Sequence, residues 1–147
     1  MPIQTSKFTS IRIITADIKR LVQFFENVTR VSARWATEDF AEIVSNTFTI
    51  AIGSTRTVAL FGEGVAQGAS NKSVIIEFLV DNVDDAYDRI KDLTNDVVQK
   101  PTTMPWGNRS LLFRDPDGNL INFFTPVSSE AISKFSHLTR GSKPRSA

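Results

Sequence analysis

Cysteine is absent from the 147 residues, and histidine occurs once, at His137. Without cysteine, disulfides, thiolate metal sites and thiol catalysis are excluded. No stretch approaches the roughly 20 apolar residues of a membrane-spanning helix. Met1 to Lys7 is polar and lacks the apolar run of a signal peptide, so the expected location is the cytoplasm. Neither sign of charge dominates: 17 Lys and Arg stand against 16 Asp and Glu, a balance that names no partner. The one basic segment, Arg140 to Arg145, is rich in Gly, Ser and Pro. No aromatic or basic stripe accompanies it, so it reads as a frayed chain end rather than a nucleic-acid arm. Apolar residues at 41% are enough for a globular core. The length suits one domain, which at this size buries roughly two-thirds of its unfolded surface.

Phe8 to Thr15 reads as a strand, with β-branched Ile11, Ile13 and Ile14. Asp17 offers an N-cap oxygen. Ile18, Leu21, Val22 and Phe25 then follow at helical spacing, with Lys19, Arg20, Gln23 and Glu26 on the other face. Val31 to Ala36, Phe40 to Ser45, Phe48 to Ile52 and Thr57 to Phe61 are β-like, separated by turn-compatible residues. Gly62 to Asn71, composed mainly of Gly, Ala, Ser, Gln and Asn, is the candidate linker. Lys72 to Val80 is again a strand. Asp81 or Asn82 caps a helix with Val83, Ala86, Tyr87, Ile90 and Leu93 on its inner face. Val97 to Lys100, Arg109 to Arg114 and Leu120 to Thr125 are β-like. Asp115-Pro116-Asp117-Gly118 joins the last two as a tight turn, with Pro presetting φ and Gly118 free to take φ > 0. Ser129 to Leu138 reads as a short C-terminal helix.

The order strand–helix–three strands therefore occurs twice. Neither half buries its sheet alone, and two together form an α+β fold: paired βαβββ modules making a curved mixed sheet around one cavity, with helices outside. The modules run 8–61 and 72–126, with a linker at 62–71 and a C-terminal helix and flexible tail at 127–147.

The stretch from Phe78 to Ala86, and Pro105-Trp106-Gly107-Asn108-Arg109 followed by Phe113 to Phe124 around the Asp115-Pro116-Asp117-Gly118-Asn119 turn, resemble the vicinal-oxygen-chelate superfamily of glyoxalase, bleomycin-resistance and dioxygenase-like domains. The likeness runs from Phe8 to about Pro126. It implies a divalent metal held by His, Glu or Gln from the first, fourth, fifth and eighth strands. Local motifs put those positions here on Ser10, near Gly53 or Ser54, on Ile75 and on Asn122. None is a good ligand, and Ile75 has no donor atom. His137 lies after the resembling region and reads as an exposed tail residue. The expectation is no bound transition metal and no cofactor, as in the family's metal-free resistance proteins.

Alternation along strands then says which residues share the cavity with these positions: Arg12 and Ile14; Ser73, Glu77 and Leu79; Leu120 and Phe124. The opposite faces, Ile11 and Ile13, Ile76 and Phe78, Ile121 and Phe123, are uniformly apolar and are expected under the helices. Arg12 and Glu77 fall at equivalent inward places in the two halves. They read either as a buried structural ion pair or as anchors for a polar ligand group, with Glu77 also a weak catalytic candidate. Trp35, Phe40 and Trp106 border the cavity as stacking surfaces or as packing. Arg109 is a rim anchor or a turn brace. The candidate ligand-binding set is thus Arg12, Trp35, Phe40, Glu77, Trp106, Arg109, Asn122 and Phe124.

Three functions follow. The first is a metal-independent protein binding a small aromatic or anionic molecule, such as an antibiotic or toxic compound. The second is a glyoxalase- or dioxygenase-type enzyme (lyase, isomerase or dioxygenase) with non-standard metal ligands or with Glu77, Glu42 or Asp39 in acid–base roles. The third is an interaction domain with a filled cavity. The resemblance implies a homodimer, which the Met1 to Lys7 arm would help to join. No nucleic-acid or membrane partner is expected.

Overall fold

The computed structural model describes residues 3–141. The chain divides into two compact units, meeting in sequence between Ala69 and Ser70.

In the first unit, strand β1 (Ile11–Thr15) leads into helix α1 (Ile18–Thr29), then β2 (Arg34–Thr37), β3 (Phe40–Val44) and β4 (Thr49–Ser54). The Asp17 side chain accepts from the Arg20 amide at 3.2 Å and so satisfies one of the free donors that begin any helix. The apolar stripe of α1, including Leu21, Val22, Phe25 and Val28, is buried and packs on β3 and β4. The strands are ordered β1-β4-β3-β2, with β1 parallel to β4 and the other pairs antiparallel. Each fully buried Leu, Ile or Phe here stabilises the unit by about 1.5–3 kcal/mol.

The β-like reading of Thr57 to Phe61 is corrected. Thr55–Val58 forms one helical turn, α2, because the Thr57 hydroxyl donates to the Ser54 carbonyl at 2.7 Å. Such local side-chain bonding offers the backbone an alternative to a sheet ladder, and Phe61 closes the next turn onto Val58.

The second unit repeats the order with β5 (Ile75–Leu79), α3 (Val83–Ile90), β6 (Val97–Thr103), β7 (Asn108–Arg114) and β8 (Leu120–Pro126). Its strand order, β5-β8-β7-β6, matches that of the first unit. Strand β5 begins three residues later than expected, because the Asn71 side chain accepts from the Ser73 and Val74 amides. Asn82, not Asp81, caps α3, accepting from Asp84 and Asp85. Phe78, Phe113 and Phe123 meet edge to face on the helix-covered side of the sheet. The expected C-terminal helix is two short ones, α4 (Ser129–Lys134) and α5 (Ser136–Gly141). The basic segment noted in the sequence lies, beyond residue 141, outside the described residues.

Candidate functional site

The register bears out the division of each strand into two faces. In the first unit the Cα partners run Arg12–Ala51–Glu42–Arg34 across the sheet, with Ile14–Gly53–Phe40 in the next row of the same face. Arg12 is exposed. Its guanidinium sits 5.1 Å from the centroid of the Phe40 ring and 5.7 Å from that of Phe61. Two rings thus hold the flat cation, in contacts worth about 0.5–1 kcal/mol each at exposed sites. The N–H edges of such a cation suit a carboxylate or phosphate. Phe61 is absent from the candidate set that the sequence suggests, and reaches Arg12 from the turn that follows α2.

Trp35 falls elsewhere. Its Cα partner is Ala41, in the row through Ile52 to Ile13, which is the helix-covered row and not that of Arg12. An irregularity between Trp35 and Thr37 shifts the pairing at this edge. Asp39, weighed as an acid–base group, is already engaged. It accepts from Arg56 and from the Ser54 hydroxyl, and the Arg56 hydrogen bond, more than any other cause, holds its carboxyl below the ordinary value. That makes it a poor base.

In the second unit Glu77, Asn122, Leu112 and Gln99 are successive Cα partners across all four strands. Asn122 is 9% exposed, and its Nδ2 donates to Glu77 Oε2 at 2.8 Å. The sequence reading of Glu77 as a buried charge is corrected: the side chain is exposed, as is that of Arg12, so neither charge needs the other to offset desolvation. Asn122 Oδ1 is buried without a partner, and so is Gln99 Oε1. An unpaired buried acceptor costs about 1–3 kcal/mol. Gln99 escaped the sequence reading because it sits between two register shifts in β6, where alternation does not reach it.

Phe124 occupies the adjacent row with Leu79 and Ser110, but its ring is taken by Phe135, 5.0 Å away. The C-terminal segment therefore packs on this face of the sheet. A cavity of about 160 Å³ lies there, lined by Leu79, Thr125, Pro126 and Ile132 among others. Trp106 is exposed in the β6–β7 turn. Arg109 lies on the opposite face from Asn122. Its Nε and Nη2 donate to the two carboxylate oxygens of Asp84 at 2.9 and 3.0 Å, which fastens β7 to the start of α3. This two-pronged bond depresses the Asp84 carboxyl. His137 is exposed on α5.

The residues at the positions implied for a metal do not fit one. Ile75 offers no donor, the Asn122 amide nitrogen is used by Glu77, and the Ser54 hydroxyl is given to Asp39. Among the described residues no group of three His, Cys, Asp or Glu side chains is gathered to hold an ion.

Residues 7–123 match the sequence model of the Glyoxalase/Bleomycin resistance protein/Dioxygenase superfamily. An uncharacterized protein, YraH of Bacillus subtilis strain 168, is 27% identical over 124 residues, spanning 80% of this chain and 97% of its own. A glyoxalase/bleomycin resistance protein/dioxygenase from Nocardioides superposes with a TM-score of 0.71 at 19% identity, covering 87% of this chain and 88% of that one. A family enzyme of the same description from Burkholderia phytofirmans PsJN gives 0.72 at 15% identity, covering 81% and 98%. At these identities the structural likeness bears on the fold alone.

Proposed function

We propose that this chain, which belongs to the Glyoxalase/Bleomycin resistance protein/Dioxygenase superfamily, is a metal-independent binding protein for a small organic molecule, working as a homodimer. One observation carries the reading. Where the family resemblance implies metal ligands, the second unit has Ile75 and an Asn122 whose amide nitrogen is committed to Glu77, a set that suits hydrogen bonding to an organic group and not ligation of an ion. Arg12, exposed and set against the Phe40 and Phe61 rings, supports ligand binding from the first unit. Sequestration of an antibiotic or toxic compound is the role this chemistry fits.

A second reading has one observation in its favour. Asn122 orients the Glu77 carboxylate through a single oxygen, which leaves the other for acid–base work on a bound molecule.

A thermal-shift screen against a compound library tests the binding reading, with elemental analysis of the dialysed protein beside it. A ligand that binds only the folded state stabilises it by about 2.7 kcal/mol at a hundredfold excess over Kd. The expected outcome is saturable stabilisation by a compound recovered unchanged, without stoichiometric metal. A bound transition metal at one per chain sinks the metal-independent reading, and turnover abolished by Glu77→Gln establishes the catalytic one. Arg12→Ala, which removes both ring contacts, is expected to lower stability by about 1–2 kcal/mol. Light scattering at high micromolar concentration is expected to return twice the chain mass of 16.3 kDa, and a clean monomer removes the dimer from the proposal.

A further inference from the structure

The cavity of about 160 Å³ in the second unit lies between the ends of β5 and β8 and the helices α4 and α5. Leu79, Pro126 and Ile132 give it apolar walls. The α4 wall is held in place from three directions. Ser128 caps it, accepting from the Ala131 amide at 3.0 Å. Ala131 is buried, and the Phe135 ring just beyond packs 5.0 Å from that of Phe124. A wall formed beforehand forfeits little ordering entropy when a ligand arrives. An apolar cavity of about 150 Å³ accepts a benzene ring, so this one has room for a single ring or a branched chain of similar bulk.

The polar side chains of the lining decide the charge of what fits. The Thr125 hydroxyl donates to the Val80 carbonyl at 2.8 Å and accepts from the Val83 amide at 3.0 Å. The Thr139 hydroxyl donates to the Ser136 carbonyl at 3.1 Å. Both hydroxyl hydrogens are thus committed inside the protein, and neither is left for a ligand. Asp81 also lines the cavity. It is exposed, and no described residue is ion-paired to it. An anionic ligand would bring like charge to Asp81 and meet no side-chain hydroxyl donor. An ammonium group brings opposite charge and N–H groups for the carboxylate to accept. Glu77, two residues before Leu79 on the same face of β5, adds negative charge alongside.

We infer that this cavity binds a small organic cation: a protonated amine carried on one ring or on a compact branched chain. Its hydrocarbon lies against Leu79, Pro126 and Ile132, and its ammonium group meets Asp81. The inference rests on reading the chain as a binding protein and gives that reading a ligand class. The charge is opposite to that of the anionic ligand expected from the sequence. A metal ion is a poorer occupant, since one carboxylate among apolar walls supplies too few oxygens.

The test uses the full chain with labelled methyl groups and four probes: benzylamine, benzyl alcohol, benzoate and methylamine. The Leu79 and Ile132 methyl resonances are followed through each titration at pH 7. Benzylamine is expected to shift both saturably at about millimolar concentration, and benzyl alcohol to do so more weakly. Benzoate, with the wrong charge, and methylamine, with no ring, are expected not to. Asp81→Asn is expected to weaken benzylamine about threefold or more, to the level of benzyl alcohol, and to leave benzyl alcohol unaffected. Ile132→Ala, at an exposed helix position, is expected to weaken both. Asp92→Asn, which removes a charge beyond the far end of α3, is expected to change neither.

Equal shifts from benzoate and benzylamine overturn the inference, and so do equal shifts from methylamine. Benzylamine binding that is unchanged by Asp81→Asn, or weakened as much by Asp92→Asn, also overturns it. Library ligands that bind without moving the Leu79 and Ile132 methyls overturn it as well, and leave the binding-protein reading standing.

Discussion

Gly107→Ala is expected to destabilise the protein by about 2–4 kcal/mol. Gly107 has φ +95°, a backbone conformation that a side chain strains. An added Cβ would overlap the Ser128 hydroxyl and stand 2.7 Å from Ser128 Cβ. Ser128 is not a bystander, because its hydroxyl caps α4 by accepting from the Ala131 amide at 3.0 Å. The Gly107 carbonyl in turn accepts from the Val127 and Ser128 amides. The substitution thus strains the turn and dislodges the start of the C-terminal helices together. Gly118→Ala is the control. Its φ is +85° but nothing lies within 4 Å, so only strain remains, about 1 kcal/mol. Urea melts of both variants check this, and equal losses at the two glycines would contradict the role given to Ser128.

Asp115→Ala is expected to cost a similar amount, about 2–4 kcal/mol. The Asp115 carboxylate is buried and accepts three hydrogen bonds, from the Asp117 and Asn119 amides and from Asn119 Nδ2. Truncation leaves those donors short of partners inside the β7–β8 turn. The pH dependence adds a signature. Burial pushes the Asp115 carboxyl above its ordinary value of 3.8, against the pull of the Asn119 and Asp117 donors. A carboxyl raised by folding holds its proton more tightly in the native state than in the unfolded chain. Its contribution to stability is therefore fullest below about 3.8 and declines as pH rises through the folded value. Asp115→Asn is expected to flatten that slope, as read from melts at stepped pH. A slope unchanged in this window would assign it to other groups.

Much of the fold is legible in the residues. Alternation along Ile11 to Thr15, Ile75 to Leu79 and Leu120 to Phe124 separates the two faces of each strand, because one face is buried under a helix and tolerates only apolar side chains. The Asp115-Pro116-Asp117-Gly118 turn is equally plain, since its chemistry is local. What escapes has a common cause in longer-range geometry. Trp35 leaves its expected face because of an irregularity at the β2 edge. Arg109 looks like a rim residue until α3 brings Asp84 to it. Gln99 carries no signal, its row being set by shifts on either side. Thr57 to Phe61 has strand-like composition, yet it begins inside the helical turn Thr55–Val58, where the Thr57 hydroxyl bonds to Ser54, and continues as a turn.

The parallel pairing at one edge of each sheet bears on the order of assembly. Val44 pairs with Thr49 across a tight turn, whereas Ile11 must find Ile50 and Ile75 must find Leu120. Closing the longer loops forfeits more chain entropy before any contact repays it. In each unit the three-strand meander is accordingly the piece that gathers early, and the leading strand docks onto a template already made. Until it does, the flank of β4 or β8 is an open row of amides and carbonyls that another chain's leading strand would match. Crowded synthesis thus carries its main hazard of strand exchange at β1 and β5, the two elements that each half makes first and seats last.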